Sequence, residues 1–247
     1  MRVLLKDFRN PDTKKKLHTD VDEQDYLITL VRYPAILFVR LFDALSWSPN
    51  QVSLLGGMLW LLSFVVIILD FGRVWNLIAF VLFLLSAIVD AADGPLARLK
   101  NQTSDKGFFL DTTLDFWRDT FLYLLAFYEG FVHTGEESII MLYVLCLAMW
   151  FINQKSDFER RFFAFKRKTK TNLRDEIAGR QSLMFRILRV IMKLYNTIDT
   201  WGIQWITMLL LAFSRYVFIK YVFLYLLISK FVRNAFSVYA TVKMLKA

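Results

Sequence analysis

Apolar residues along the chain fall into long runs separated by short charged segments. In order the runs read VSLLGGMLWLLSFVVIIL, VWNLIAFVLFLLSAIV, FWRDTFLYLLAFY, SIIMLYVLCLAMWFI, WGIQWITMLLLAF and VFIKYVFLYLLISKFVRNAFSVY. None shows the period-two alternation of a membrane barrel, so helices, whose backbone groups pair internally, are the expected elements. Several runs fall short of the roughly 20 residues that cross about 30 Å of hydrocarbon, and are expected to extend into their charged flanks. The pattern predicts an all-α integral membrane fold with six transmembrane helices.

Ahead of the first run, DYLITLVRYPAILFVRLFDALS places Asp25, Arg32, Arg40 and Asp43 on one sector of a helix whose other positions are apolar. This predicts an amphipathic helix lying on the cytosolic membrane surface and kinked at Pro34, with a seventh span as the alternative. Residues 1–47 are thus read as a cytosolic segment carrying the interfacial helix, and residues 48–247 as the six-helix transmembrane domain. The chain shows no internal repeat and no low-complexity linker.

Composition supports the membrane class, because 56% of residues are hydrophobic and 17% aromatic, with only 9 Gly and 4 Pro. The opening residues, including KDFRNPDTKKKLHTDVDEQD, are too polar for the core of a signal peptide, so the amino terminus is expected in the cytosol. A net charge of +9 raises the question of nucleic acid. The basic residues sit in tracts beside apolar runs, above all KSDFERRFFAFKRKTKTNLRDEIAGRQ, which points instead to anionic headgroups and topology. EGFVHTGEES carries acids and no Lys or Arg, which places it on the opposite side and both termini in the cytosol. Arg73, Arg215 and Lys220 run against that rule. Cys146 has no second cysteine to pair with, which excludes disulfide frameworks and cysteine-based zinc sites.

The chemistry concentrates in residues 90–115, DAADGPLARLKNQTSDKGFFLDTTLD. Asp90 and Asp93 are three apart and Asp111 and Asp115 four apart, so each pair shares a helix face. Two neighbouring helices joined by a short loop would bring all four carboxylates to one pocket. Like charges at that range repel unless cations intervene, and hard divalent ions with oxygen ligands, Mg2+ or Mn2+, are the natural partners. Four acids suffice for two ions, an arrangement suited to phosphoryl displacement. Gly94, Ala97 and Gly107 leave room between the acids, and Arg98 offers a planar fork to phosphate or to an aspartate. Pro95 removes a backbone donor beside the site.

These residues resemble the signature of the CDP-alcohol phosphotransferases, DxxDGxxAR and then, after eight intervening residues, GxxxDxxxD. Asp90, Asp93, Gly94, Ala97, Arg98, Gly107, Asp111 and Asp115 match every fixed position. SPNQVSLLG at residues 48–56 is similar to the entry of that family's first span. The resemblance implies displacement of CMP from a CDP-linked donor by an alcohol hydroxyl. It implies that Asp90, Asp93, Asp111 and Asp115 hold metal, two ions in all, and that Asp115 is also the base. Asn50, Asp93, Gly94, Ala97, Arg98 and Gly107 would bind the CDP group.

The acceptor is less well marked. Lys230 and Arg233 are cations inside the last apolar run, suited to an acceptor phosphate, and Lys155 is a further candidate. Family members with phosphorylated polyol acceptors often carry an Arg-Asp pair where this chain has Ile198 and Asp199. Arg or Lys often follows the last aspartate directly, where this chain has Phe116, with Arg118 and Asp119 further on. His18 and His133 are read as solvated. The expected function is phospholipid synthesis from CDP-diacylglycerol or a related lipid donor and a small polar alcohol, in the plasma membrane of a prokaryote or the endoplasmic reticulum of a eukaryote. The alternatives are a soluble CDP-alcohol with a lipid acceptor, a divalent-cation transporter, and a membrane protein that keeps the motif without activity. Nucleic acid is not an expected partner, and a homodimer is left open.

Overall fold

The computed structural model describes residues 26–167 and 202–246, with side chains described at 31–152 and 202–235. The described regular structure is helical. α1 spans Tyr26–Ala44, α2 Pro49–Leu69, α3 Arg73–Lys100, α4 Asp105–Thr134, α5 Glu137–Arg167, α6 Ile203–Ala212 and α7 Ile219–Lys246, with a 3-10 turn at Tyr216–Phe218. The chain divides into two compact units, Met1–Ala126 with Lys193–Arg215, and Phe127–Met192 with Tyr216–Ala247.

The first unit is organised on α2 and α3. α2 starts at a capping box: the Ser48 N–H donates to Gln51 Oε1 at 2.8 Å and the Gln51 N–H donates to Ser48 Oγ at 3.4 Å, with Pro49 at the first helical position. It ends at Asp70, in the left-handed conformation with φ 40°. α3 then returns antiparallel, in a register that sets the Ser63 hydroxyl on the Ala79 carbonyl at 2.8 Å and stacks Phe64 on Phe83. Val31, Ala35, Val39 and Phe42 of α1 are buried. The last three join Val52, Val89, Ala92 and Leu96 in one hydrophobic cluster. Their period of three to four residues is that of a helix face turned to a core.

α2 and α3 are the two described helices long and apolar enough to cross a membrane, over Pro49–Leu69 and Arg73–Leu99. Both carry apolar side chains on their exposed faces, among them Leu54, Met58, Leu61, Val65 and Ile68 of α2 and Val74, Ile78 and Val81 of α3. An outward apolar surface of this kind is what lipid contact requires.

The expected six spans are corrected by this structure: among the described residues two helices qualify, not six. Helices do extend beyond the apolar runs, α4 to 30 residues, α5 to 31 and α7 to 28, but polar and charged residues along them deny them the uninterrupted apolar stretch of a span. Among the described residues the apolar part of α5 covers Glu137–Ile152 and α6 covers Ile203–Ala212. α4 carries Asp111, Asp115, Arg118, Asp119 and Glu129 along its length, and Lys220, Lys230 and Arg233 interrupt α7. The expected amphipathic surface helix is corrected too. α1 forms over Tyr26–Ala44, with Pro34 inside it, but among its described side chains the exposed row is not the expected charged one. Its outer row is Tyr33, Leu37 and Leu41, all exposed, while Asp43 is buried. Asp25, His18, Ile198 and Asp199 lie outside the described residues.

In the second unit α5 packs on α7. Phe127 stacks on Tyr143 with centroids 4.6 Å apart, and Tyr143 meets the edge of Phe223. Cys146 is buried, its thiol donating to the Phe223 carbonyl at 3.0 Å. Near the start of α5, Lys220 donates to Glu136 at 2.9 Å, and that hydrogen bond holds its ammonium above the ordinary lysine range. His133 faces Glu129 at 3.2 Å and stacks on Tyr216.

One polar tie in the first unit joins the end of α1 to the end of α3. Lys100 Nζ donates to the Trp47 carbonyl at 2.7 Å and faces the buried Asp43 carboxylate at 3.6 Å. Lys100→Met is expected to lower stability by about 1–3 kcal/mol, since it leaves a buried acceptor and a buried acid without that partner. The thermal midpoint in detergent checks this against Asp105→Asn, an exposed control. Equal midpoints would remove the tie from the account.

Candidate active site

The site is built by the short connection between α3 and α4. Asn101 ends α3 in the left-handed conformation, φ 52°, and the Gly107 N–H donates to Ser104 Oγ at 3.1 Å, which caps the start of α4. Residues 101–104 are therefore enough to turn the chain. Asp90 and Asp93 lie near the end of α3, and Asp111 and Asp115 near the start of α4, so the turn brings acids from both helices together. Asp90, Asp93 and Asp111 each offer a carboxylate oxygen within 4.8 Å of the other two. Three oxygens at that mutual distance can hold a divalent metal ion, and the donor set suits a hard one.

Asp93 is 9% exposed, and the buried Ser53 hydroxyl on α2 donates to its Oδ2 at 2.5 Å. That contact fixes one carboxylate of the cluster against the neighbouring helix. At Asp111, burial and then the neighbouring Asp115 carboxylate push the acid above its ordinary range, with the Arg118 guanidinium opposing them. A bound cation would reverse that direction, because metal competes with the proton for the same oxygen.

Beside the cluster lies a cavity of about 270 Å³. Every residue that the sequence assigned to the CDP group lines it: Asn50, Asp93, Gly94, Ala97, Arg98 and Gly107, and Asp111 lines it as well. The two glycines keep the wall thin. A Cβ on Gly107 would stand 3.3 Å from Asn50 Oδ1 and 3.4 Å from Ser104 Oγ, and one on Gly94 would stand 3.4 Å from Arg98 Nη1. Ser53, Gln102, Thr103 and Ser104 also line the cavity and were not singled out in the sequence. Ser53 had one signal available, since it lies three residues after Asn50 and so shares its helix face.

Asp115 is placed differently from the other three acids. It does not join the 4.8 Å group, and its Oδ1 is 2.7 Å from Arg118 Nη2. Arg118 is 6% exposed, and its Nη1 also faces Asp90 Oδ2 at 3.6 Å. Its Nε faces Asp119 Oδ1 at 3.6 Å, and that same oxygen accepts from Gln204 Nε2 of α6 at 2.8 Å. Sequence reading treated Arg118 only as a departure from a pattern. The available signal was a cation on an apolar helix, three residues from an acid.

The expected acceptor residues are in the second unit. Lys230, half-buried, and Arg233, exposed, lie on α7. Lys155 lies on α5, its side chain outside the described ones.

A cluster of carboxylates that can hold a divalent ion, opening on a cavity with a guanidinium and small residues in its wall, suits a ligand carrying phosphate. Comparison with known proteins points the same way. The family described as CDP-alcohol phosphatidyltransferase matches residues 46–231, which is most of the chain. An uncharacterised protein of Aquifex aeolicus (strain VF5) is 36% identical over 110 residues, covering 44% of this chain and 53% of that protein. The inner membrane protein YnjF of Escherichia coli (strain K12) is 34% identical over 99 residues, covering 40% of this chain and 43% of that protein. The chain thus spans about half the length of the curated relatives it matches.

The Ser53 contact yields a test of the cluster. A hydrogen-bonded partner behind a metal ligand typically contributes about 10–100-fold to metal affinity. Ser53→Ala is expected to weaken Mn2+ binding by at least about 10-fold, read as free Mn2+ by electron paramagnetic resonance on protein with an unchanged thermal midpoint. Unaltered affinity would separate Ser53 from metal binding.

Proposed function

The chain belongs to the CDP-alcohol phosphatidyltransferase family, and from that premise we propose that it transfers a substituted phosphate group from a CDP-linked donor to the hydroxyl of an alcohol, releasing CMP. One observation carries the reading. Asp93 and Asp111 belong both to the carboxylate cluster and to the wall of the cavity, so one ligand can meet the cytidine diphosphate site and the ion site together.

A divalent ion, Mg2+ or Mn2+, held by Asp90, Asp93 and Asp111 would neutralise charge on the diphosphate as the bond to CMP breaks. Arg98 presents its planar fork to a phosphate oxygen, and Gly94 and Gly107 let the diphosphate come close to the backbone. Asn50, beside Gly107, is positioned for the ribose or the phosphates. Asp115 takes the proton of the acceptor hydroxyl while that oxygen attacks the distal phosphorus of the donor. The new phosphorus–oxygen bond forms as the bond to the CMP oxygen breaks, and CMP leaves.

The donor in this reading is CDP-diacylglycerol or a related lipid, which the apolar outer faces of α2 and α3 would admit from the bilayer, and the product is a phospholipid. The acceptor is a small polar alcohol. Lys230 and Arg233, with Lys155, are its proposed anchors if it carries a phosphate. A soluble CDP-alcohol with a lipid acceptor would use the same chemistry. Both termini are placed in the cytosol, in keeping with the basic tracts. A cation transporter is disfavoured because Asp90 and Asp93 lie toward the end of the Arg73–Leu99 span and not at its middle.

Screening the purified protein for Mg2+-dependent CMP release across donor and acceptor pairs tests the reading. CMP release from no CDP-linked donor would end it. Asp115→Asn is expected to lower turnover by at least about 100-fold, with CDP affinity from calorimetry within about 3-fold of wild type. Comparable turnover would remove Asp115 as the base. With a phosphorylated acceptor, Lys230→Met or Arg233→Met is expected to raise acceptor KM about 10-fold at unchanged donor KM. Unchanged acceptor KM in both would direct attention to an acceptor without a phosphate.

A further inference from the structure

We propose that Phe108, at the start of α4, is the shelf on which the nucleobase of the CDP-linked donor stacks. The inference deepens the proposed reaction and rests on it, because it takes the ligand of the cavity to carry a cytidine diphosphate group.

Among the described residues, Phe108 is the one aromatic side chain in the cavity wall. The rest of that wall is polar or small, and the segment that leads into Phe108, Asn101 to Lys106, is polar and exposed. Phe108 itself is 68% exposed, so the face of its ring is open to a ligand. A large apolar ring at the rim of a polar cavity suits a ligand that offers a flat apolar face beside polar groups, which a nucleobase does.

Helical spacing separates Phe108 from the residues that face lipid. Phe109 and Phe116 are also exposed, and at seven residues apart they lie on one face of α4. Phe108 is about a quarter turn away from them. It lies instead on the face of Asp111 and Asp115, three and seven residues further on, and Asp111 lines the same cavity.

The surrounding turn fixes where the ring stands. With Asn101 in the left-handed conformation, the Gln102 N–H donates to the Ala97 carbonyl at 2.8 Å, a Schellman closure of α3. The Phe108 N–H then donates to the Ser104 carbonyl at 3.0 Å, which sets the first turn of α4. Gly107, next to Phe108, keeps the adjoining wall open, since a Cβ there would crowd Asn50 and Ser104. Along the helix axis Phe108 lies about 4.5 Å nearer the turn than Asp111. A diphosphate held at the Asp93 and Asp111 end therefore directs the ribose and base toward the turn. There the Phe108 ring takes the face of the base, and Gln102 and Thr103, which also line the cavity, offer hydrogen-bonding groups to its edge.

Calorimetric titration of the full-length protein in detergent with Mg2+, using CDP and, separately, inorganic pyrophosphate, which has no base, tests the inference. Phe108→Leu keeps an apolar side chain without the ring, and is expected to lower CDP affinity by at least about 5-fold while pyrophosphate affinity is unchanged. Phe108→Trp is expected to retain CDP affinity, and the fluorescence of the introduced indole to be quenched by CDP and not by pyrophosphate. Phe109→Leu, on the other face, is expected to bind both ligands as wild type does. Unchanged CDP affinity in Phe108→Leu, or an equal loss for CDP and pyrophosphate, overturns the inference, and Mg2+-dependent CMP release by wild type would leave the proposed reaction standing. A selective loss of CDP affinity with no CMP release by wild type from any CDP-linked donor would uphold the base shelf and refute the reaction. Wild-type protein that binds no CDP overturns both.

Discussion

Mutual repulsion among carboxylates is the constraint around which the first unit is arranged. Asp90, Asp93, Asp111 and Asp115 come from two helices that meet at a short turn, in surroundings that exclude much of the water that would screen them. Such a cluster persists only if cations and hydrogen-bond donors are built in beside it. Ser53 donates to Asp93, and Arg118 pairs with Asp115 and faces Asp90. Arg98 stands in the adjoining cavity wall. Asp90, Asp93 and Asp111 can hold a divalent ion, whose charge would add to that balance and would serve a bound diphosphate.

Packing sets how accurately these groups are held. The capping box at Ser48 starts α2 at a defined residue, which places Asn50 in its first turn and Ser53 in its second, on one face. The hydrophobic cluster of Ala35, Val39, Phe42, Val52, Val89, Ala92 and Leu96 locks α1, α2 and α3 together behind the acids. Val89 and Ala92 alternate with Asp90 and Asp93 along one stretch of α3, so a single helix presents one side to the core and the next to the site. Lys100 ties the end of that helix to the end of α1. The ligand site therefore rests on rigid helix positions, with only residues 101–104 contributing loop chemistry.

Local spacing made the acids legible in the sequence. Intervals of three and four residues fix a helix face without knowledge of the rest of the fold, and a short polar link between two apolar helices can only turn back. Gly94, Ala97, Arg98 and Gly107 of the cavity wall came from the same stretch, whereas Asn50 came from the family resemblance alone. Partners supplied from far along the chain were not legible. Ser53 and Asp93 are 40 residues apart, and Gln204 and Asp119 are 85 apart, so no local pattern joins them. The span count failed for a related reason. A charge in an apolar run looks like a flank until its partner is known, and Arg118 shows such a charge held inside a helix by acids. In α1 the polar residues suggested a face turned to water, whereas Asp43 turns inward to Lys100 and leucines point outward.

The central claim is that the three-carboxylate cluster and the adjoining cavity form one site for an ion and a cytidine diphosphate group. The most direct measurement is crystallographic: the protein with Mn2+ and CDP, with data collected at the manganese edge. The account predicts anomalous density within bonding distance of Asp90, Asp93 and Asp111, with the CDP diphosphate against it and against Arg98. Manganese bound elsewhere, or CDP outside the cavity between Asn50 and Gly94, would contradict it.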